Sequence, residues 1–216
     1  ILEVGVGTGR VFIDALNQGA DIYGIDVSKS MIDVLRSKIP DENHNRVFVK
    51  DARDFNLGVK FDLIVAPFRT FSHFIDTDDQ LKVLNNVYSH LNPDGKFIFD
   101  VFIPDMDLMN EDKNNVLDFE GEYSVSNTFK RLFSMSTDFV NQIINTRFSF
   151  EWKEGKDYFK KEWETQLRYF YRFELENLVR LSKLRMVNIY GDFNEGSLRN
   201  DSKDYIVACK KDLLKY

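Results

Sequence analysis

Apolar residues along this chain alternate between two spacings, and the alternation predicts its architecture. Ile1-Leu2-Glu3-Val4 reads as a short buried strand that breaks at three alternating glycines, Gly5, Gly7 and Gly9. From Thr8 to Asn17 the apolar positions Val11, Phe12, Ala15 and Leu16 have the spacing of an amphipathic helix, ending near Gly19. Asp21 to Asp26 predicts a second strand that closes on a carboxylate. Ser28 then caps a helix through about Ile39, with Pro40 beyond it. Arg46–Lys50, Phe61–Ala66 and Lys96–Ile103 predict the third, fourth and fifth strands. A helix over Asp78–Leu91 and the turn Asn92-Pro93-Asp94-Gly95 precede the fifth. Strands and helices alternating through short links imply a parallel, doubly wound α/β sheet.

Helical spacing disappears between Pro104 and about Tyr171. Thr128–Asp138, Phe139–Trp152 and Tyr158–Tyr171 alternate aromatic or β-branched residues with polar ones, which predicts an antiparallel insertion of three strands. A helix over Glu174–Leu184 and strands at Met186–Tyr190 and Asp204–Lys210 complete the pattern. At 216 residues this is expected to be one domain carrying an insertion at about 104–171. The many aromatics of the insertion have three readings that do not exclude one another: the packed face of a sheet, a lid over an amine substrate, or the interface of a homodimer.

Composition narrows the function. A net charge of −6 argues against nucleic acid as a partner and favours a small molecule. No apolar run approaches the roughly 18 residues of a membrane span. The one cysteine, Cys209, lies in the alternating stretch Asp204–Lys210 and reads as a buried strand residue, so a disulfide framework is excluded and a reducing cytoplasm fits. No histidine or cysteine cluster suggests a metal, and no G-x-S-x-G elbow suggests a serine hydrolase. The chain opens inside a strand without a lead-in, so residues preceding Ile1 are expected.

The candidate chemistry sits where strands end, because ligands of doubly wound sheets bind outside the carboxyl ends of the strands. A dinucleotide fingerprint counted from Gly5 would place its third glycine at position 10, which is Arg10; the pattern here is E-x-G-x-G-x-G, from Glu3 to Gly9. Asp26, Lys50-Asp51-Ala52-Arg53 and Ala66-Pro67-Phe68 follow at the next three strand ends. Together these residues resemble the class I S-adenosylmethionine-dependent methyltransferases. The resemblance implies a Rossmann-like seven-stranded sheet of order 3-2-1-4-5-7-6 with the last strand antiparallel, and S-adenosylmethionine as cofactor, released as S-adenosylhomocysteine. It further implies that Asp26 takes the ribose hydroxyls, Val27 and Met31 pack on the adenine, Asp51 accepts its amine and Ala52 faces a ring nitrogen. Glu3 and the Ala66 carbonyl would hold the methionine ammonium while Gly5, Val6 and Gly7 pass close to the methionine part. A segment before Ile1 would close over the cofactor, as in many members.

The aromatic stretch Pro67–Phe74 departs from the D/N-P-P-Y/F motif of enzymes that methylate base amines. With the insertion after the fifth strand and Tyr190-Gly191-Asp192-Phe193, the chain is more similar to small-molecule N-methyltransferases, including those acting on amino sugars. Methyl transfer from a sulfonium needs placement, exclusion of water and a proton acceptor more than covalent catalysis. His73 is the candidate acceptor or substrate-orienting group, against the alternative of a histidine hydrogen-bonded within an aromatic loop. Phe68, Arg69 and Tyr190 are candidate substrate-pocket residues. An RNA methyltransferase, a non-catalytic cofactor-binding protein and a nicotinamide-dependent reductase are the competing readings.

Overall fold

A computed structural model describes residues 1–124 and 127–213. One compact unit comprises residues 1–103 and 170–216, and a second comprises residues 104–169. In the first unit, strands β1 (Leu2–Val4), β2 (Tyr23–Asp26), β3 (Val47–Val49), β4 (Phe61–Ala66) and β5 (Leu91–Phe102) run parallel. β10 (Leu184–Tyr190) and β11 (Asp204–Lys211) complete a seven-stranded sheet in which β11 is antiparallel to both neighbours. The order β3-β2-β1-β4-β5-β11-β10 is the expected one once the strands of the second unit are left out of the numbering.

The helices of this unit are α1 (Phe12–Asn17), α2 (Lys29–Arg36), α3 (Thr77–His90) and α5 (Arg172–Leu181). α1 begins later than its apolar spacing predicts, because Thr8 to Val11 turn out of the glycine loop before helical bonding starts. α2 begins as expected, with the Ser28 hydroxyl accepting from the Met31 amide at 3.4 Å. Below α3 and α5 lies an apolar cluster built on Leu2, Val4, Ile64, Phe97, Phe99 and Val207. α1 and α2 close a second cluster around Phe12, Ile32, Leu35 and Val47. β11 is buried from Tyr205 to Cys209, which explains its nearly unbroken apolar run. Burial pushes the Cys209 thiol up to about 12, so it is an inert core residue. The Asn92–Gly95 turn is absorbed into β5 as an irregularity: Phe61 pairs with Leu91 and Leu63 with Lys96, so four residues bulge between two rungs.

The second unit contains a one-turn helix, α4 (Met106–Met109), and an antiparallel sheet of four strands rather than three. These are β6 (Lys113–Ser124), β7 (Asn127–Asp138), β8 (Ile143–Glu154) and β9 (Asp157–Arg168). Their register gathers Phe129, Phe133, Phe148, Phe150, Trp152 and Trp163 on one face, where Phe148 stacks on Trp163 at 5.6 Å. Among the described residues no helix is long and apolar enough to cross a membrane.

Candidate functional site

The glycine loop is sewn to its neighbours by backbone bonds. The Gly5 and Val6 amides donate to the Ile25 carbonyl at the end of β2, at 2.9 and 3.0 Å. Gly5 and Gly7 adopt φ of 74° and 54°, where a side chain is disfavoured. Their environments differ. A Cβ on Gly5 would strike the Thr70 side chain at 2.5 Å, so this glycine lets the turn after β4 cross the loop. A Cβ on Gly7 would meet nothing closer than Met31 Sδ at 3.7 Å, which leaves bare backbone open to a ligand.

Asp26 is fixed by the same loop. Its Oδ2 accepts from the Gly7 amide at 2.9 Å and its Oδ1 from the Ser28 amide at 2.8 Å. Each carboxylate oxygen has two acceptor sites, so one on each remains for hydroxyl donors. Beside it stand Val27, just before the N-cap of α2, and Met31 in its first turn, which are 67% and 44% exposed and offer an apolar shelf.

Glu3 is the most constrained ionisable group of the site. It projects from the buried strand β1, is 1% exposed, and takes a hydrogen bond from the Phe12 amide at the start of α1. Its Oε2 is buried without a hydrogen-bond partner among the described residues. Burial first, and the nearby charge of Asp26 in addition, push its carboxyl up to about 8, although the Phe12 amide opposes the rise. Cofactor-free Glu3 is therefore mostly protonated at neutral pH.

After β3, Asp51 is gripped by Arg53, whose Nη2 reaches Oδ2 at 2.6 Å and whose Nε reaches Oδ1 at 3.0 Å. That hydrogen bonding holds the Asp51 carboxyl below the usual range. Ala52 is buried, and its carbonyl accepts from Asn86 of α3 at 3.2 Å.

The turn after β4 is unusual. Phe68 and Arg69 are consecutive left-handed residues, with φ of 56° and 62°. Their amides converge on the buried Asp100 of β5; Arg69 N donates to Oδ2 at 3.0 Å. Burial raises the Asp100 carboxyl and the two backbone donors oppose that rise. Next along the chain, Phe71 is fully buried against Phe99 and Phe170, at centroid distances of 4.6 and 5.9 Å, and anchors the turn in the core. The turn thereby presents Phe68 and Arg69 outward: Arg10 lies over the Phe68 ring at 4.4 Å, and Arg69 pairs with Asp204 at 3.1 Å. Ala66, directly before the turn, is buried at the end of β4.

His73 ends the same turn and makes no hydrogen bond to a described residue. Its ring reaches solvent yet is crowded enough for desolvation to lower its pKa, against the raising influence of the Asp26 charge. Thr70 of the same turn stands close over Gly5, so the turn that carries His73 borders the glycine loop. Tyr190 is half-buried at the end of β10 and bridges to Ser197. The following turn is organised by Asp192, whose Oδ1 accepts from the Asn194 and Gly196 amides at 2.8 and 2.9 Å.

Strand ends thus bring Glu3, Gly7, Asp26, Asp51 and Ala66 to one edge of the sheet. Asp100 and Asn86 are structural partners of this edge that no local signal announced, because each acts on a segment distant in the chain.

Residues 1–95 match a family described as a methyltransferase domain. Malonyl-[acyl-carrier protein] O-methyltransferase 1 of Ilyobacter polytropus is 34% identical over 104 residues, covering 47% of this chain and 37% of that protein. The chain therefore spans well under half of that relative's length. An uncharacterized methyltransferase of Bacillus cereus is 30% identical over 156 residues, covering 69% of this chain and 71% of the relative. Among solved structures, the sugar N-methyltransferase KedS8 of a Streptoalloteichus species superposes with a TM-score of 0.77 at 16% identity, covering 95% of this chain and 78% of its own. That likeness is one of fold. The relationship that extends over two thirds of both chains, together with the matched domain, shows that the chain belongs to the class I S-adenosylmethionine-dependent methyltransferases.

Proposed function

We propose that the chain binds S-adenosylmethionine along Glu3, Gly5–Gly7, Asp26 and Asp51 and catalyses transfer of its methyl group to an amine nitrogen of a small molecule. The observation that carries the cofactor assignment is the buried Oε2 of Glu3, which lacks a donor among the described residues. A buried carboxyl oxygen without a partner is costly, and an ammonium supplies both the donor and the opposite charge. The open backbone at Gly7, the free acceptor sites of Asp26 and the apolar shelf of Val27 and Met31 fit the rest of the molecule. In this reading the Ala66 carbonyl shares the ammonium with Glu3, Val6 lies beside the methionine part, and Ala52 faces the adenine ring.

When bound, S-adenosylmethionine supplies an electrophilic methyl group on a positive sulfur that leaves as a neutral thioether. The chain's residues place the acceptor and handle its proton. His73, kept neutral by its lowered pKa, accepts a proton from an ammonium acceptor at one of its ring nitrogens. Phe68, Arg69 and Tyr190 shape the acceptor pocket. An amine is favoured by this neutral base and by the fold shared with a sugar N-methyltransferase. The net charge of −6 weighs against RNA.

Calorimetry with S-adenosylmethionine, S-adenosylhomocysteine and NADH is expected to show binding of the two sulfur ligands only. A labelled-methyl screen over amines, amino sugars, phenols and tRNA is expected to label a small amine. Transfer to tRNA alone would overturn the acceptor class, and tight NADH binding without a response to either sulfur ligand would overturn the cofactor. In the same assay His73→Ala should lower kcat about 10²-fold or more, with cofactor affinity preserved. Wild-type turnover should rise with pH through a pKa below the ordinary histidine value; an unchanged rate in the variant removes His73 from the chemistry.

A further inference from the structure

We infer that Arg53 and Asp79 are positioning residues for adenine recognition: a chain of alternating charges rooted in α3 holds the Asp51 carboxylate in the orientation that accepts the adenine amine. The inference rests on the cofactor reading above and extends it to residues that touch no part of the cofactor.

The chain of charges runs Lys82, Asp79, Arg53, Asp51, with contacts of 2.8 Å between Lys82 and Asp79, 2.6 Å between Asp79 and Arg53, and 2.6 Å between Arg53 and Asp51. Arg53 spends Nε and one terminal nitrogen on Asp51 and the other terminal nitrogen on Asp79, so its head is pinned at both ends. Its own backbone amide also donates to Asp51 Oδ1 at 2.9 Å. Nε is shared between the two oxygens, at 3.0 Å from Oδ1 and 3.1 Å from Oδ2, so the backbone amide, Nε and one terminal nitrogen are three donors for a carboxylate that offers about four acceptor sites. One acceptor site of the carboxylate is left over while its two torsions are locked. A second tie from α3 acts on the backbone of the same turn: Asn86 Nδ2 donates to the Ala52 and Phe55 carbonyls at 3.2 and 3.1 Å. α3 accordingly holds both the carboxylate and the main chain assigned to the adenine edge. The Asp51 and Asp79 side chains are 26% and 22% exposed and Arg53 is 44% exposed, so the network lies at the surface and acts through its geometry rather than through burial.

The two partners separate the roles. An arginine that merely competed with adenine for Asp51 would, when removed, tighten cofactor binding. An arginine that positions Asp51 would weaken it and erode selectivity for an amine at C6 of the purine.

Calorimetry with S-adenosylhomocysteine and S-inosylhomocysteine, which carries oxygen in place of the amine, measures this selectivity without turnover. Wild type should prefer the adenosine ligand by on the order of tenfold to a hundredfold, and Asp51→Ala should lose the preference. Arg53→Ala and Asp79→Asn should each reduce the preference about fivefold, the double variant no further, and Arg53→Lys should be intermediate. Melting curves accompany each variant, because loss of fold would weaken both ligands alike and leave their ratio unchanged. If Asp51→Ala keeps the wild-type preference, the reading of Asp51 and this inference both fail. If Asp51→Ala loses it while Arg53→Ala and Asp79→Asn keep it, or if Arg53→Ala binds more tightly, the inference alone is overturned.

Discussion

Replacing Glu3 by glutamine is expected to raise the melting temperature of the cofactor-free protein while weakening its hold on S-adenosylmethionine. The carboxyl of Glu3 is pushed up from 4.5 to about 8 in the folded chain, with burial as the first cause. Between those values the folded state keeps a proton that the unfolded state has released. Stability therefore falls as pH rises from about 4.5 to about 8, and is level above that range. Integrated over the shift, the loss is on the order of 4 kcal/mol. Glutamine does not titrate, so the advantage of the variant should grow across this window, to roughly 5–15 °C near pH 8, and vanish near pH 4.5. Melting curves of both proteins from pH 4.5 to 9 read this directly; parallel curves would show that Glu3 does not titrate in this range.

Cofactor binding should reverse the preference. An ammonium beside Oε2 favours the ionised carboxylate, so wild-type protein at pH 7 should release about one proton as S-adenosylmethionine binds. Calorimetry in buffers of different ionisation enthalpy counts that proton. In Glu3→Gln the release should disappear and affinity should fall on the order of tenfold to a hundredfold, because a charge-assisted hydrogen bond becomes an ordinary one. A group that costs the empty fold stability and rewards the ligand is one kept for binding. Equal affinity and an equal proton count in the variant would sink the assignment of the ammonium to Glu3.

What could be read from the residues follows from how local each signal is. Strand ends are marked by short apolar runs that stop at a glycine, a carboxylate or a proline, so Gly5, Asp26, Asp51 and Ala66 could be placed at strand ends beforehand, whereas the strand order was implied only by the family resemblance. β6 could not, because its pairing with β7 slips at three places and its apolar residues Val116, Leu117 and Phe119 break the two-residue alternation. Asn115, in the left-handed region at φ 49°, lies within the first slip. His90, at the end of α3, is buried, bonded to the Asn86 carbonyl and lying 4.2 Å from the Phe55 ring, a contact with a residue far back in the chain that no local pattern marks. The same holds for the site: Arg53 meets Asp79 26 residues on, Arg69 meets Asp100 31 residues on, and Arg69 meets Asp204 135 residues on. Arg10 was legible only as a missing glycine, and its place over Phe68 depends on a turn whose left-handed residues are both non-glycine.

That turn should prove to be held by Asp100. Two successive non-glycine residues in the left-handed region cost roughly 1–2 kcal/mol each, and something must offset that cost. Asp100 does so by accepting the Phe68 and Arg69 amides from a position only 4% exposed, where the donors cannot turn to water without moving the chain. Asp100→Ala removes the charge and leaves two donors without their acceptor. It should cost about 2–4 kcal/mol, or roughly 4–16 °C in melting temperature, whereas Asp100→Asn, which retains one carbonyl oxygen, should cost about 1 kcal/mol. Because Phe71 stays anchored in the core, release should be local and centred on Phe68 and Arg69. Native-state cleavage by trypsin after Arg69 reports such opening, and should accelerate at least tenfold in Asp100→Ala under conditions where the rest of the chain stays folded. Arg69→Gly in the same background should recover part of the lost stability, since glycine adopts the left-handed conformation without strain and the exposed Arg69–Asp204 pair contributes little. A variant that melts like wild type and resists trypsin equally would show that Phe71 and the Thr70 bond to the Pro67 carbonyl hold the turn by themselves. If Asp100 does hold it, the position of Phe68, Arg69 and His73 beside the glycine loop is set from β5, one strand beyond the strand that carries them.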